Sequence, residues 1–386
     1  MKTVTRNKRN YLSEDLIVNT WEDVAAYYDE LQNRTMEDKD GLLKWMADRS
    51  ETDAVVDEEY RWRYIRQTCD TEDEAHAKVY ENFIEHIMPK WMTVTNELNK
   101  KLAASAFINE LDQERFFVYL RNLQSQLKLF REENISLSQQ VQLLSQEYGS
   151  IIGAMTIEHD GNEYTLPQAG VFLQNQDRAL RKTIYEKISS RRFQDREKLN
   201  NLFSELLKIR HQMALNAGFE NFRDYMFAEM GRFDYDVQSC EQFHEAIKSE
   251  VIPLVKKIHQ KRKQQLGVEN LFPYDLEVDA ENLPALKPFS TQEELIEKSV
   301  KCLDTVDSFF AECISIMNNM NYLDLNSRKG KAPGGYNMTL PEIGVPFIFM
   351  NAAGTHRDLE TMVHEAGHAV AVRLFELPWP LAVGVG

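Results

Sequence analysis

His364, Glu365 and His368 stand in the pentapeptide His364-Glu365-Ala366-Gly367-His368, the part of this sequence with the most defined chemistry. Histidines four positions apart on a helix share a face one turn apart, so both imidazoles can present a nitrogen to one Zn2+ ion. Glu365, beside the first ligand, can act as general base on a zinc-bound water and pass the proton to a leaving amine. That combination points to metal-assisted hydrolysis of an amide bond. A third protein ligand is still required. Ala371 and Leu374 stand where the longer HExxHxxGxxH pattern carries Gly and His, which excludes that class. Glu376, Asp358 and Glu360 lie on the same helix at awkward offsets for one tetrahedral site. Gly367 costs about 1 kcal/mol against alanine inside a helix, so a close neighbour, another backbone or the substrate, is expected beside it.

The flanking residues supply the elements that would position this motif. Pro346-Phe347-Ile348-Phe349-Met350-Asn351 is an apolar, aromatic and β-branched run bounded by Pro and by Ala352-Ala353-Gly354, which reads as a strand. Thr355 with Asp358 resembles a capping box, and Leu359, Met362, Val363, Ala366, Val370 and Leu374 continue as a helix that stops before Pro378. Upstream, Asn326 to Tyr336 is irregular; Gly334 and Gly335 permit close backbone approach and Tyr336 carries a phenol.

Elsewhere apolar residues recur at helical spacing, and the fold class is mostly α with a small β element beside the HExxH helix. The spacing predicts helices over Trp21 to Gln32, Gly41 to Arg49, Glu72 to Ala104, Glu110 to Leu123, Ser138 to Ile152, Gln176 to Asn216, Val237 to Gln265 and Thr291 to Met320. Met155 to His159 and Glu163 to Leu166 flank Asp160-Gly161-Asn162 and read as a hairpin. A domain boundary is placed there, giving 1–166 and 167–386. Gly267 to Pro288 reads as a long surface connection, more a structural crossover than a site.

A net charge of -16 argues against a surface that tracks nucleic-acid phosphates. The basic start, Met1 to Asn10, is followed by no apolar h-region, and no run of 18 apolar residues occurs, so neither secretion nor a membrane span is expected. Cys69, Cys240, Cys302 and Cys313 show no metal-ligand spacing and fit a reducing, cytoplasmic setting.

The run from Ser327 to His368, with RKGKAPGGY, PFIFMN and HEAGHA, resembles the thimet oligopeptidase superfamily of zinc peptidases, most closely its oligoendopeptidase F branch. The hairpin at His159 to Leu166, Asp177-Arg178 with Arg181, Met230 to Asp234 and Tyr274-Asp275-Leu276 extend the likeness over roughly residues 150 to 386. The resemblance implies a helical zincin-type fold with a deep channel, a Zn2+ cofactor, and cleavage of internal bonds in short unfolded peptides. It implies His364 and His368 as metal ligands and Glu365 as catalytic glutamate. Phe347, Ile348, Phe349, Met350 and Asn351 match the edge strand that peptide is thought to lie along, and Gly334, Gly335 and Tyr336 the flexible loop beside it.

The third ligand of the family is a Glu on a later helix, past residue 386. With the apolar final decapeptide Leu377 to Gly386, this reads as the N-terminal part of a longer enzyme, inactive alone. The alternative is a helical binding or interaction protein that retains an HExxH without turnover. Zinc content together with peptide hydrolysis separates the two.

Overall fold

Residues 2–374 are described in a computed structural model of the chain. The helix expected over Gly41 to Arg49 runs from Lys39 to Cys69, 31 residues. Its middle escapes a periodicity reading because Asp48, Arg49, Ser50, Glu51, Thr52 and Asp53 are polar and yet all buried. Buried charges persist where they are paired. Arg34 meets Asp48 at 2.6 Å, Arg49 meets Asp53 at 3.2 Å and Asn99 at 2.6 Å, and the Tyr28 hydroxyl donates to Asp53 at 2.7 Å. Around this helix Leu31, Trp45, Phe83 and Leu98 form a fully buried core.

Two expected helices contain a π turn. Glu72 to Ala104 divides into Glu74–Asn82, a π turn at Phe83–Ile87, and Met88–Ala103. Val237 to Gln265 divides into Val237–Ala246, a π turn at Ile247–Val251, and Ile252–Gln265. Each π turn ends two residues before a proline, Pro89 or Pro253. A proline inside a helix lacks an N–H and crowds the carbonyl four residues back, and a local widening relieves both.

Gln176 to Asn216 is two helices, Arg178–Gln194 and Arg196–Asn216, and Thr291 to Met320 is Gln292–Asp304 and Ser308–Asn319. Asp307 starts the last of these by accepting the Phe309 N–H at 2.9 Å. Glu110 to Leu123 shifts to Phe117–Leu129, because Asp112 holds the preceding turn through the N–H groups of Glu114 and Arg115. Ser138 to Ile152 lengthens to Glu133–Gly153, and Trp21 to Gln32 is found at Glu22–Asn33.

The hairpin is present as β1 (Thr156–His159) paired antiparallel with β2 (Asn162–Thr165), with positive φ at Asp160 and Gly161. Within 267–288 only a short turn at Pro273–Asp275 is regular. Its Asp275 is fully buried and grips Arg178 and Arg181, each at 2.9 Å, so this connection is bolted to the Arg178–Gln194 helix.

A second sheet comprises β3 (Leu323–Asn326), β4 (Tyr336–Met338) and β5 (Phe347–Ala352) in the order β3-β5-β4. β5 is parallel to β3 and antiparallel to β4. Alternate side chains of a strand leave opposite faces. Phe347 and Phe349 pack with Ile65 of the Lys39–Cys69 helix, whereas Ile348 and Met350 pack with Leu295, Ile314, Met362 and Ala366. β5 is therefore covered on both faces, which explains its unbroken apolar sequence.

This topology corrects the expectation for Phe347 to Asn351. β5 is the central strand, paired with β3 on one side and, over Phe347 to Phe349, with β4 on the other, so these three residues do not lie at a sheet edge, while Met350 and Asn351 have no β4 partner in the ladder. Phe347, Ile348, Phe349 and Met350 are also buried, and only Asn351 is half-exposed.

Candidate active site

The HExxH helix spans His356–Leu374. Its start is the expected capping box: the Asp358 N–H donates to Thr355 Oγ1 at 3.2 Å, and the Thr355 N–H donates to Asp358 Oδ2 at 2.8 Å. Asp358 Oδ2 also accepts the Ala353 N–H at 2.9 Å, which ties the glycine turn after β5 to the helix. Met362, Ala366 and Ala369 are fully buried toward the sheet and the Ser308–Asn319 helix. The opposite face, with His356, Glu360, His364, Gly367 and His368, is exposed.

On that face the Nε2 atoms of His364 and His368 are 3.2 Å apart, with ring planes at 86°. Two nitrogens each about 2.0–2.1 Å from one tetrahedrally bound ion would stand roughly 3.3 Å from each other. The pair therefore fits a shared ion. Among the described residues no group of three or more His, Cys, Asp or Glu side chains is placed to hold a metal, so two donors are what these residues supply. Asp358 is committed to the cap, Glu360 lies beside His356 at 3.4 Å, and Glu376 lies outside the described residues. Glu365 is 9% exposed and faces away from open solvent.

Beside Gly367 there is no packed backbone among the described residues. A methyl group at that position would meet nothing within 4 Å among the described residues, so no packed neighbour requires glycine there.

β4 runs beside the helix, and Asn337 Nδ2 donates to the Glu365 carbonyl at 3.3 Å. As the outer strand on that side of the sheet, β4 is the edge next to the motif. Sequence patterning misses β4 because it has three residues, Tyr336, Asn337 and Met338, following a glycine loop. Pairing with β5 is what makes it a strand: Tyr336 lies opposite Phe349, and the two rings stack with centroids 4.7 Å apart.

Tyr336 is half-buried and its hydroxyl is shared with Thr68 Oγ1 at 2.7 Å, while burial raises its pKa. This phenol is part of the packing between β4 and the Lys39–Cys69 helix. The preceding loop is also fastened. Asn351 Nδ2 donates to the carbonyls of Ala332 at 2.8 Å and Gly334 at 2.9 Å. Gly334 has φ +90, and a Cβ on Gly335 would stand 3.3 Å from the Phe349 carbonyl oxygen, so both glycines serve the approach of loop to strand.

At the turn from β4 to β5, Glu58 of the Lys39–Cys69 helix accepts the N–H groups of Glu342 at 2.7 Å and Ile343 at 2.9 Å. Burial raises Glu58 from 4.5 to about 7, outweighing those hydrogen bonds, with the Glu342 charge adding to the rise. The folded state then binds the proton more tightly than the unfolded chain does. This group's contribution to stability is greatest below about 4.5 and declines as pH rises toward 7, by on the order of 3 kcal/mol. Urea titrations from pH 5 to pH 8 check this: Glu58→Gln should flatten that decline, and an unchanged slope would count against the assignment.

With that geometry in hand, the chain can be set beside known proteins. Its fold matches the structure of PZ peptidase A with inhibitor 2 at a TM-score of 0.85 and 26% identity, covering 90% of this chain and 62% of that one. Peptidase family M3 matches residues 171–372, and the Peptidase M3 N-terminal domain matches residues 16–130. The chain belongs to peptidase family M3. An oligoendopeptidase F homolog of Mycoplasma genitalium is 26% identical over 286 residues, 67% of this chain and 45% of that protein. One from Borreliella burgdorferi is 25% identical over 310 residues, 76% of this chain and 49% of that protein. The chain thus spans about half the length of the curated relatives it matches. No helix among the described residues is long and apolar enough to cross a membrane.

Proposed function

We propose that this chain carries the metal-gripping helix and general base of a zinc-dependent oligopeptidase that hydrolyses internal bonds of short, unfolded peptides. The observation that carries the reading is the pair of imidazole nitrogens 3.2 Å apart on an exposed helical face, with Glu365 between them in sequence. Family M3 is zinc-dependent, and the donors fit that ion. Zinc held there would polarise a scissile carbonyl and make water acidic enough to lose a proton near neutral pH.

This chain's own groups do the rest. His364 and His368 would hold the ion, and the helix keeps their rings oriented. Glu365 accepts the proton from the attacking water and delivers it to the departing amine. β4, the strand whose Asn337 touches the Glu365 carbonyl, offers the sheet edge on which an extended peptide can pair by main-chain hydrogen bonds.

The test is zinc-dependent cleavage of an internally quenched oligopeptide at saturating zinc, with a chelator control. Zinc bound at the histidine pair defends the reading even where cleavage is slow. A chain that binds no zinc, or cleaves equally with the metal removed, defeats it.

A further inference from the structure

Residues 2–16 contain no helix or strand, yet they are fastened at three distant places. At the start, Lys2 pairs with Glu312, its carbonyl accepts Asn319 Nδ2 at 2.9 Å, and Val4 packs into the core behind β5. At the far end, the Glu51 carboxylate, 4% exposed, accepts the consecutive N–H groups of Asn10 at 2.9 Å, Tyr11 at 3.0 Å and Leu12 at 2.8 Å. Between these anchors, Arg6 Nη1 at 3.1 Å and Arg9 Nε at 2.7 Å both donate to Glu342 Oε1, in the turn that joins β4 to β5.

The two arginines are themselves held. Arg9 Nη1 donates to the carbonyls of Ser13 at 2.7 Å and Leu16 at 3.0 Å, and Arg6 Nη2 meets Glu14 at 2.8 Å. On the other side of the same turn, Glu58 takes the N–H groups of Glu342 and Ile343, and Arg61 Nη1 donates to the Thr339 carbonyl at 3.0 Å. The turn is gripped by its backbone from the Lys39–Cys69 helix and by its side chain from the arm. The side chains of Arg9 and Glu342 are only 6% and 12% exposed, so solvent and salt screen this pair little.

β4 needs such support. It has three residues and one neighbouring strand, and short edge strands with few ladder bonds open readily. We propose that the N-terminal arm is a clamp, in which Arg6 and Arg9 hold Glu342 and thereby fix the β4 edge against the HExxH helix. Arg6, Arg9 and Glu342 are positioning residues in this scheme. The bearing of the clamp on peptide placement rests on the function proposed above, whereas the clamp itself is measurable without metal, peptide or turnover.

Hydrogen–deuterium exchange of the full chain decides it, comparing fragments over 336–343 with the remote β1–β2 hairpin at 156–165. Glu342→Gln should speed exchange over 336–343 about tenfold and leave the hairpin unchanged. Arg6→Ala should act in the same place to a smaller degree, and should add nothing over 336–343 in the Glu342→Gln background, because Glu342 is the contact through which Arg6 reaches that turn, its bonds to Glu14 lying within the arm. Unchanged exchange over 336–343, or equal acceleration in both fragments, overturns the clamp. If Glu342→Gln fails to fold, Arg6→Ala alone decides by the same comparison.

Discussion

Replacing His364 or His368 by alanine should weaken zinc binding by about 100-fold or more, because losing a ligand costs more than the roughly 10–100-fold lost with an outer-shell partner. The two nitrogens are already within 0.2 Å or so of the spacing a shared tetrahedral ion requires, so little reorganisation opposes binding. Either variant leaves one of the two imidazoles that the described residues bring together. Glu365→Gln separates metal binding from chemistry. It keeps the side-chain shape on the buried side of the helix, should leave zinc affinity close to that of the parent, and should lower any zinc-dependent peptide cleavage by about 100-fold or more. Competition against a chromophoric zinc chelator gives the affinities, and a quenched peptide gives the rate. Alanine variants that bind zinc as the parent does would remove the metal site, and full activity in Glu365→Gln would remove the base.

The motif and its strand-turn-helix setting were legible because each obeys a short-range rule. The capping box at Thr355 and Asp358 is readable from two residue types at fixed spacing, and β5 is readable as an apolar run bounded by Pro346 and Gly354. Where β5 sits in the sheet was not readable. Its partners β3 and β4 are four and three residues long and owe their existence to pairing with β5 and to packing, β3 through Leu323 and Leu325 in the cluster of Leu295 and Ile314, and β4 through Tyr336 and Met338 with Ile65 and Trp62, more than 250 residues earlier in the chain. The outer strand on the side of the motif is therefore β4. The buried charged middle of the Lys39–Cys69 helix was hidden for the same reason. Asp48, Glu51 and Asp53 look like a solvated surface until Arg34, Arg49, Tyr28 and the backbone at 10–12 are seen to meet them.

The same helix shows how the N-terminal region reaches the site. Glu58, Arg61, Trp62, Ile65 and Thr68 recur at three- and four-residue spacing and so share a face. That face touches, in order, the turn after β4, the end of β4 itself, Phe347, the Phe349 layer and the Tyr336 hydroxyl. One continuous helix thus templates the whole edge of the sheet beside the HExxH motif. This arrangement makes the N-terminal helices part of the site's framework rather than a separate appendage.

Lys331→Met should damage that framework by on the order of 3 kcal/mol in urea unfolding. Lys331 is 2% exposed, and its ammonium donates to the carbonyls of Asp324 and Asn326 at 3.0 Å each, to the Met350 carbonyl, and to Asp324 Oδ1 at 3.0 Å. It also lies 4.4 Å above the Phe349 ring. Burial lowers its pKa to about 8, against the pull of Asp324, so it is charged at neutral pH. Methionine fills the space of the stem but takes the donor away from the carbonyls of buried Met350, half-buried Asp324 and exposed Asn326, and a buried acceptor left unmet costs about 1–3 kcal/mol before relaxation. Asp324 is not stranded, because Arg328 still meets it with two bonds of 2.7 Å. That surviving pair is why the expected loss stays at the lower end of the about 3–5 kcal/mol seen when a buried partner is removed. Alanine should cost more than methionine, since it adds a cavity to the same unmet carbonyls. A Lys331→Met chain as stable as the parent would show that water replaces the ammonium at no cost and that the junction of β3, β5 and the glycine loop does not depend on it.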